Sequence, residues 1–206
     1  MMDVFVPTIR RSSLRFCLKS LRKAGCSSPR IVKHMLWVDA CNHMASACAS
    51  AWFLRVDEDM FVCKWSLSFI SELIEANPSS GMVSCNLHDW KTRSPLRGIK
   101  AYRADVAREL GFKADDNGRV DKLFSARLAD KGLSAIISDV VVGVHAHTPD
   151  REQVKSWRMR GERSHIKYGS LTGQSCDYRE QMMFLESIQR PDHGKASYIH
   201  QPYPPN

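Results

Sequence analysis

An apolar strand that runs directly into three acidic residues is the feature of this chain that most limits its fold. Residues 52–56 (WFLRV) suit a buried strand, and Asp57, Glu58 and Asp59 follow at once. Neighbouring carboxylates repel one another unless solvent or a cation compensates their charge. In an extended chain Asp57 and Asp59 point to the same side, where their oxygens suit one hard divalent ion, and Glu58 points away. A solvated acidic turn is the alternative, and it is the better interpretation of the triplet in isolation.

The sequence around this run alternates between strand and helix patterns. Helical spacing of apolar residues predicts helices near residues 14–21, 67–74, 106–110 and 120–128. Apolar, β-rich runs predict strands at residues 4–6, 31–32, 36–38, 53–56, 82–87, 98–103 and 135–144. Gly25 is expected to end the first helix, and Asn42 is a candidate cap for a short Ala-rich helix. This alternation favours an α/β layered fold.

Length and composition fit one globular domain in a reducing compartment. The chain has 206 residues, of which 43% are apolar and 25% charged. It has no uncharged apolar run of about 18 residues, and residues 1–11 lack the apolar core of a signal peptide. The seven cysteines are scattered and form no Cys-x-x-Cys pair, which favours reduced, buried thiols. We therefore expect a cytoplasmic protein.

The net charge of +8 favours anionic partners of some kind. Nucleic acid, an anionic membrane surface and a phosphorylated substrate all satisfy it. Part of the excess is local, because residues 151–169 contain six lysines or arginines and two glutamates. A solvated helix face explains this stretch as well as a binding function does.

Several segments, taken in order, resemble one known family. They are residues 4–10 (VFVPTIR), 17–21 (CLKSL), Asn42 with the Ala-rich segment and the acidic run, 98–103 (GIKAYR) and 120–128 (VDKLFSARL). Over residues 3–150 they resemble glycosyltransferases of the GT-A fold, most like the family 2 nucleotide-sugar transferases. The order and spacing of the segments carry the resemblance, because an Asp-x-Asp pattern alone is not specific.

The resemblance implies a fold and a division of the chain. The fold is a Rossmann-like, three-layer α/β sandwich with a mostly parallel central sheet. Residues 1–150 are expected to form the catalytic domain. Residues 151–206 are expected to form a basic helix and an irregular tail packed on the same domain.

The resemblance also implies an activity and its partners. A hexosyltransferase-like enzyme of this family transfers a sugar from a nucleotide-diphosphate donor, of the UDP or GDP type, to an acceptor hydroxyl. The reaction is expected to depend on Mn²⁺ or Mg²⁺ and to invert the anomeric carbon. The acceptor is a saccharide, a lipid-linked molecule or a protein. The basic stretch suggests peripheral contact with an anionic membrane, and nucleic acid is not an expected partner.

The site residues follow from the same resemblance. The donor is expected to contact Pro7, Thr8, Arg10, Asn42, Asp57 and Arg103, with Arg97 and Lys100 as further candidates for the diphosphate. Asp57, Asp59 and His145 are the expected metal ligands, and His147 is the alternative to His145. Asp121 is the candidate base, with Asp115 and Asp116 as competitors, and an acid stabilised by the helix dipole is its structural alternative.

The sequence departs from the family pattern in two places. The second strand usually ends in acidic residues that hold the nucleotide base, but residues 31–34 (IVKH) contain none, and Asp39 is a poor substitute. Val120 stands where the family has an acid before Asp121. The first departure leaves the choice between uridine and guanosine donors open. The second leaves Asp121 as the only carboxylate at its place.

Two other function classes remain open, a metal-dependent nuclease and a non-catalytic binding module. A third class, the nucleotidyltransferases, lacks its motif here. A metal-dependent nuclease also uses clustered acids, and His145 and Asp150 have a His-x4-Asp spacing, but the first strand lacks the acids of that class. A nucleotidyltransferase would need a Gly-rich phosphate loop, and residues 7–13 contain no glycine. A non-catalytic module that binds nucleotides or polyanions is the second alternative.

Overall fold

The computed structural model describes residues 2–9, 12–90, 92–115, 120–146, 178–191 and 198–200. The strands are β1 (Asp3–Thr8), β2 (Arg30–Lys33), β3 (Trp52–Arg55), β4 (Met60–Val62), β5 (Ser80–Asp89), β6 (Pro95–Arg103), β7 (Ser134–His145) and β8 (Tyr198–His200). The helices are α1 (Leu14–Lys23), α2 (Trp37–Ala47), α3 (Ser66–Ala76), α4 (Ala104–Leu110), α5 (Val120–Asp130) and α6 (Tyr178–Ser187).

The strands form one mixed sheet in the order β2-β1-β3-β6-β5-β7-β4, and β8 pairs with β7. β1 runs parallel to β2 and β3, and β5 runs parallel to β7. β6 runs antiparallel to β3 and β5, and β7 runs antiparallel to β4 and β8. The parallel strands β1, β2 and β3 therefore present their carboxyl ends at one edge of the sheet.

Alternating side chains bury the sheet on both faces. Val4, Val6 and Leu54 belong to a core packed under α1, α3 and α6, whereas Phe5 and Phe53 belong to a second core under α2, α4 and α5. All five side chains are almost fully buried. Neighbouring residues of a strand point to opposite faces, so these continuous apolar runs fit strands covered on both sides. The result is the three-layer α/β sandwich predicted from the sequence.

The prediction for residues 36–38 was wrong, because they begin a helix and not a strand. α2 starts at Trp37, and Asn42 lies in its middle and is not its cap. An apolar run of three residues suits either element, and periodicity cannot separate them over so short a length. By contrast, α1 ends as predicted, with Gly25 in the left-handed region at φ 93°.

Helix α6 packs against the same domain. Its Tyr178 ring lies 5.0 Å from Phe16 and 5.8 Å from Phe61, measured between ring centroids. Beyond its end, the carbonyl of Ile188 accepts a hydrogen bond from Trp65 Nε1 at 3.3 Å. The basic stretch at 151–169 lies outside the described residues. No helix in the described ranges is long and apolar enough to cross a bilayer.

The described cysteines are free thiols, as predicted. Cys17, Cys41, Cys48, Cys63 and Cys85 are buried in the two cores, and Cys26 is partly buried. Burial raises the pKa of Cys41 and Cys48 to about 11. These side chains therefore stay protonated at neutral pH and pack as small apolar groups.

Candidate functional site

A cavity of about 560 Å³ opens at the carboxyl ends of β1, β2 and β3. Side chains at the ends of parallel strands meet at one edge, which is where open α/β sheets bind ligands. Part of the lining is apolar and consists of Ile9, Val32, Met35, Leu36, Trp37 and Ala40. The rest includes Pro7, Thr8, Asp57, Glu58, Asp59 and His145. The structure thus brings five of the predicted site residues to one cavity: Pro7, Thr8, Asp57, Asp59 and His145.

The three acidic residues form a turn between β3 and β4 and are not an extended chain. The amide of Met60 donates to the Asp57 carbonyl at 2.9 Å and closes the turn. Glu58 is buried and accepts hydrogen bonds from Thr8 Oγ1 and from the Ile9 amide. Glu58 therefore ties this acidic turn to the end of β1. The prediction that Asp57 and Asp59 share a side by strand alternation does not apply to a turn.

Asp59 and His145 lie together because β4 pairs with β7. Met60 is opposite His145 in this pair, and the Ala146 amide donates to the Asp59 carbonyl at 2.7 Å. His145 Nε2 is 3.8 Å from Asp59 Oδ1, and His145 Nδ1 is 3.1 Å from Asp89 Oδ2. Asp89 thus fixes the ring so that its other nitrogen faces Asp59. A carboxylate in this position is typical of histidines that bind metals.

The charge of His145 responds to these neighbours. Burial alone would lower the pKa of the imidazole, but the hydrogen bond to Asp89 and the charge of Asp59 raise it above its usual value. Near neutral pH a proton therefore competes for His145 with any cation.

Arg55 connects the acidic turn to Asp121. Its Nε lies 3.4 Å from Asp57 Oδ1, and Nη1 lies 2.8 Å from Asp121 Oδ1. Burial raises the pKa of Asp57; Arg55 opposes that rise and Asp59 adds to it. Asp57 Oδ1 is buried and accepts no hydrogen bond from the described residues. The positive partner of this oxygen is the Arg55 guanidinium, whose Nε also has no hydrogen bond among the described residues.

Asp121 lies in the first turn of α5 and is held by three side chains. In addition to Arg55, Lys100 Nζ lies 3.0 Å from Oδ2, and the Tyr102 hydroxyl donates to Oδ1 at 2.7 Å. Burial would raise the pKa of Asp121, but Arg55 and Lys100 hold it well below the usual range. Asp121 is therefore ionised at any physiological pH. Its use as a base stays a prediction.

Two predicted donor residues lie away from the cavity. Asn42 uses its amide to join α2 to the chain after α4, because Nδ2 donates to the Phe112 carbonyl and Oδ1 accepts from the Phe112 amide. Arg103 pairs with the exposed Asp105 at 3.0 Å. It lies opposite Trp52, at the far end of β3 from the acidic turn, because β6 is antiparallel to β3. The sequence interpretation did not include that reversal.

Other predictions fall outside the described residues. They are Arg10 as a donor contact, His147 as the alternative ligand, Asp116 as a competing base and Asp150 of the His-x4-Asp pattern.

Sequence reasoning missed three residues of this region: Asp89, Arg55 and Trp37. Asp89 ends β5, and a predicted strand with an acid at its end is a signal that was available. Arg55 is a charge inside an otherwise apolar strand, which indicates a buried ionic partner. Trp37 stacks under the Arg55 guanidinium at 4.6 Å from the ring centroid. No signal in the sequence pointed to Trp37, because the apolar run at residues 36–38 favours a strand.

The donor set fits a divalent cation that other ligands complete. Asp59 and His145 converge, and Asp89 orients the imidazole. Within the described ranges, no three His, Cys, Asp or Glu side chains form a ready metal cluster. A cation here would take its remaining ligands from a bound molecule and from water.

Comparisons with solved structures show the fold. The chain is similar to a mannosyltransferase, PcManGT from Pyrobaculum calidifontis, solved with GDP-Man and Mn²⁺: TM-score 0.59, 15% identity, 91% of this chain and 68% of that one. It is also similar to residues 1–349 of S. aureus TarS with UDP: TM-score 0.55, 14% identity, 77% of this chain and 64% of that one. The chain thus spans less than two thirds of the TarS structure. These likenesses show that it has the GT-A fold predicted from its sequence.

Sequence comparisons add nothing to this picture. No protein-family model matches the chain, and no curated protein matches it.

Proposed function

We propose that this chain is a glycosyltransferase that moves a sugar from a nucleoside-diphosphate donor to an acceptor hydroxyl. The observation that carries the proposal is the pair of Asp59 and His145 in the cavity at the carboxyl ends of β1–β3, with Asp89 behind the imidazole. This position in a GT-A fold supports a donor site. The molecules bound in the two similar structures, GDP-Man and UDP, are a nucleoside-diphosphate sugar and a nucleoside diphosphate.

The cavity matches both ends of such a donor. Its volume of about 560 Å³ lies in the usual range of small-molecule sites. The apolar residues from β2 and α2, among them Val32 and Trp37, suit a flat nucleobase and ribose. The acidic turn cannot accept a diphosphate directly, because like charges repel. A cation between Asp59, His145 and the diphosphate removes this conflict.

In this proposal the chain's residues hold and orient the groups that react. A bound Mn²⁺ or Mg²⁺ supplies Lewis-acid stabilisation of the negative charge on the leaving diphosphate. Asp59 and His145 hold the cation, and an imidazole ligand favours Mn²⁺. Asp57 contributes negative charge beside them. Pro7 and Thr8 line the cavity at the end of β1. Glu58 holds this end of the strand in place through its hydrogen bonds to Thr8 and Ile9.

We keep Asp121 as the proposed base. The bond from the sugar anomeric carbon to the diphosphate breaks, and its electron pair leaves with the nucleoside diphosphate. The acceptor oxygen forms the new bond on the face of the anomeric carbon opposite the diphosphate, which inverts that carbon, and it gives its proton to Asp121. The strongly lowered pKa keeps Asp121 ready in its ionised form but makes it a weak base. For this step the acceptor hydroxyl must take the place of a Tyr102 or Lys100 hydrogen bond.

Nucleotide binding is the direct test. Thermal unfolding is measured with GDP, UDP, GDP-mannose and UDP-GlcNAc, each with Mn²⁺, with Mg²⁺ and with a chelator. We expect stabilisation that needs both a nucleotide and a cation, about 2.7 kcal/mol at a ligand concentration near 100 Kd. If no nucleotide stabilises the protein, or if a chelator leaves the stabilisation intact, the proposal fails. Salt-sensitive binding of DNA or RNA without a cation would instead support a polyanion-binding module.

Cation binding should depend on pH through His145. The pKa of His145 is raised, so protonation opposes the cation up to a higher pH than for an ordinary histidine. Below that pKa we expect the affinity for Mn²⁺ to fall about tenfold per pH unit, because one proton must leave for each ion bound. The folding stability of the cation-free protein has the opposite pH dependence. The protonated imidazole adds stability that is lost as pH rises through its folded pKa.

Asp89→Asn tests the same arrangement. Removing the Asp89 charge should weaken Mn²⁺ about 10–100-fold and move the pH midpoint of binding downwards. Isothermal titration of Mn²⁺ across this pH range, in the presence of the nucleotide, measures both effects. Asp130→Asn, an exposed acid at the end of α5, is the matched control. Equal affinities for the Asp89→Asn and Asp130→Asn variants would contradict the assignment of Asp89.

A further inference from the structure

The two oxygens of the Asp121 carboxylate have different surroundings. Oδ1 accepts hydrogen bonds from Arg55 Nη1 at 2.8 Å and from the Tyr102 hydroxyl at 2.7 Å. Oδ2 lies 3.2 Å from Arg55 Nη2 and 3.0 Å from Lys100 Nζ. Arg55 and Tyr102 are almost fully buried. The side chains of Lys100 and Asp121 are 11% and 29% exposed. Oδ1 is thus engaged on the buried side, and Oδ2 shares with Lys100 the side that reaches the surface.

Lys100 and Asp121 line a second cavity, of about 330 Å³. Trp37 lines both this cavity and the donor cavity, so the two adjoin. Three apolar side chains complete part of the lining, those of Met82, Val120 and Ile137. A cavity that adjoins the donor site and contains the proposed base is the place where an acceptor would bind.

The charges of the buried network around Asp121 cancel. Arg55 and Lys100 contribute two positive charges. Asp57 and Asp121 contribute two negative ones. Burial and the charge of Arg55 lower the pKa of the Lys100 ammonium, and Asp121 opposes both effects. These four groups need no further ion, so hydrogen bonding decides what binds beside them.

The Lys100 ammonium has one N–H more than it uses among the described residues. An ammonium carries three N–H donors. Lys100 Nζ has two acceptors within reach, Asp121 Oδ2 at 3.0 Å and the Gly98 carbonyl at 3.3 Å. Because Lys100 lines the cavity, the third N–H is left for a group that enters it.

A hydroxyl group matches Lys100 and Asp121 with a single oxygen atom. Its oxygen accepts from the ammonium, and its hydrogen is donated to Asp121 Oδ2. An anionic group offers only acceptors, and it would face the negative charge of Asp121. An ammonium group offers only donors, and it would face the positive charge of Lys100. The pair therefore selects a group that donates and accepts at once.

We propose that Lys100 is an acceptor-binding residue, whose ammonium donates a hydrogen bond to the reacting hydroxyl oxygen while Asp121 Oδ2 takes the proton of that hydroxyl. The oxygen's electron pair forms the bond to the anomeric carbon, and Lys100 keeps its own protons. The ligand is a sugar or polyol, whose C–H faces pack on the apolar part of the lining. This role rests on the proposed transferase function, and it identifies the Lys100 hydrogen bond as the one that the acceptor replaces.

Hydrolysis of the donor tests this role, because water then takes the place of the acceptor hydroxyl. The probe is the nucleotide sugar that stabilises the protein best, with Mn²⁺. Lys100→Met keeps the length of the side chain and removes all its N–H donors. We expect kcat to fall about 10–100-fold, the loss of one hydrogen bond from a charged group. The KM of the donor and the Kd of the nucleotide should not change, because Lys100 does not line the donor cavity.

Lys100→Gln separates the hydrogen bond from the charge. It removes the same charge as Lys100→Met but keeps N–H donors, so any change in the basicity of Asp121 is common to both variants. A neutral donor forms a hydrogen bond about half as strong, so kcat should fall only about 3–10-fold. Lys19→Gln is the control, because Lys19 is exposed on α1, on the opposite face of the sheet, and should leave kcat unchanged. The Tm of each variant checks the fold.

The role of Lys100 and the transferase function fail in different ways. Equal kcat values for Lys100→Met and Lys100→Gln, or a kcat of Lys100→Met equal to that of the original chain, would overturn the role of Lys100 and leave the donor site standing. A protein that binds nucleotide with a cation but hydrolyses no donor would overturn it as well. If no nucleotide binds, the transferase proposal itself falls.

Discussion

Replacing Arg55 with methionine is expected to lower the free energy of unfolding by about 3–5 kcal/mol, the usual cost of removing one partner from a buried ion pair. The Arg55 side chain is 3% exposed and lies 2.8 Å from Asp121 and 3.4 Å from Asp57. Methionine has a similar length but no charge, so it leaves two carboxylates with Lys100 as their nearest cation. Urea unfolding followed by circular dichroism measures the loss.

A matched arginine and a double variant separate charge from packing. Arg103→Met removes an arginine from the other end of the same strand pair, where its partner Asp105 is exposed, and should cost less than about 1 kcal/mol. In the double variant with Arg55→Met and Asp121→Asn, the Asp121 carboxylate that has lost its Arg55 partner is also removed. This variant should recover part of the stability lost in the single variant. If Arg55→Met costs no more than Arg103→Met, the buried ionic network does not stabilise the fold.

Replacing Asp59 with asparagine is expected to reduce kcat/KM for sugar transfer about 10²–10³-fold, or ~3–4 kcal/mol of transition-state stabilisation. Asparagine keeps the shape of the side chain but loses its charge. The cation would then be held by His145 alone among the converging side chains, because Asp57 faces Arg55. Most of the stabilisation of the leaving diphosphate should be lost with it.

Release of nucleoside diphosphate from the donor that stabilises the protein best is a convenient assay, because hydrolysis needs no known acceptor. The Asp59→Asn variant should also need a higher concentration of Mn²⁺ for half-maximal rate. Asp130→Asn is again the control, since it removes one carboxylate far from the cavity. An unchanged rate and an unchanged Mn²⁺ requirement in the Asp59→Asn variant would show that the cation, if any, binds elsewhere.

The fold was predictable from local patterns where those patterns were long. The apolar runs around Val4–Val6 and Phe53–Val56 are buried on both faces and gave the right strands, and α1 ended at Gly25 as expected. Residues 36–38 were too few for periodicity to decide between strand and helix. The direction of each strand in the sheet was harder to predict, because it depends on the neighbouring strands and not on the strand's own sequence. The reversal of β6 is the example that mattered most.

The meeting of Asp59 and His145 was predictable to the extent that strand ends determine it. Asp59 and His145 were both expected near the cation, and the β4–β7 pairing brings them together. Asn42 and Arg103 were placed by resemblance alone, and each has a partner away from the cavity. The buried network of Arg55, Lys100 and Tyr102 around Asp121 joins two strands and a helix. A charge inside an apolar strand indicates that Arg55 has a buried partner, but local sequence does not say which distant residue that partner is.

The position of Trp37 has a thermodynamic consequence. Its side chain lines two cavities, the one at the carboxyl ends of β1–β3 and a smaller one that contains Asp121. The Arg55 guanidinium stacks on the ring. A ligand in either cavity that shifts this ring changes the shape of the other one. Linkage requires that any such effect be reciprocal: the factor by which the first ligand alters the affinity of the second is the factor by which the second alters the first. One side chain can thus couple the affinities of two ligands that do not touch each other.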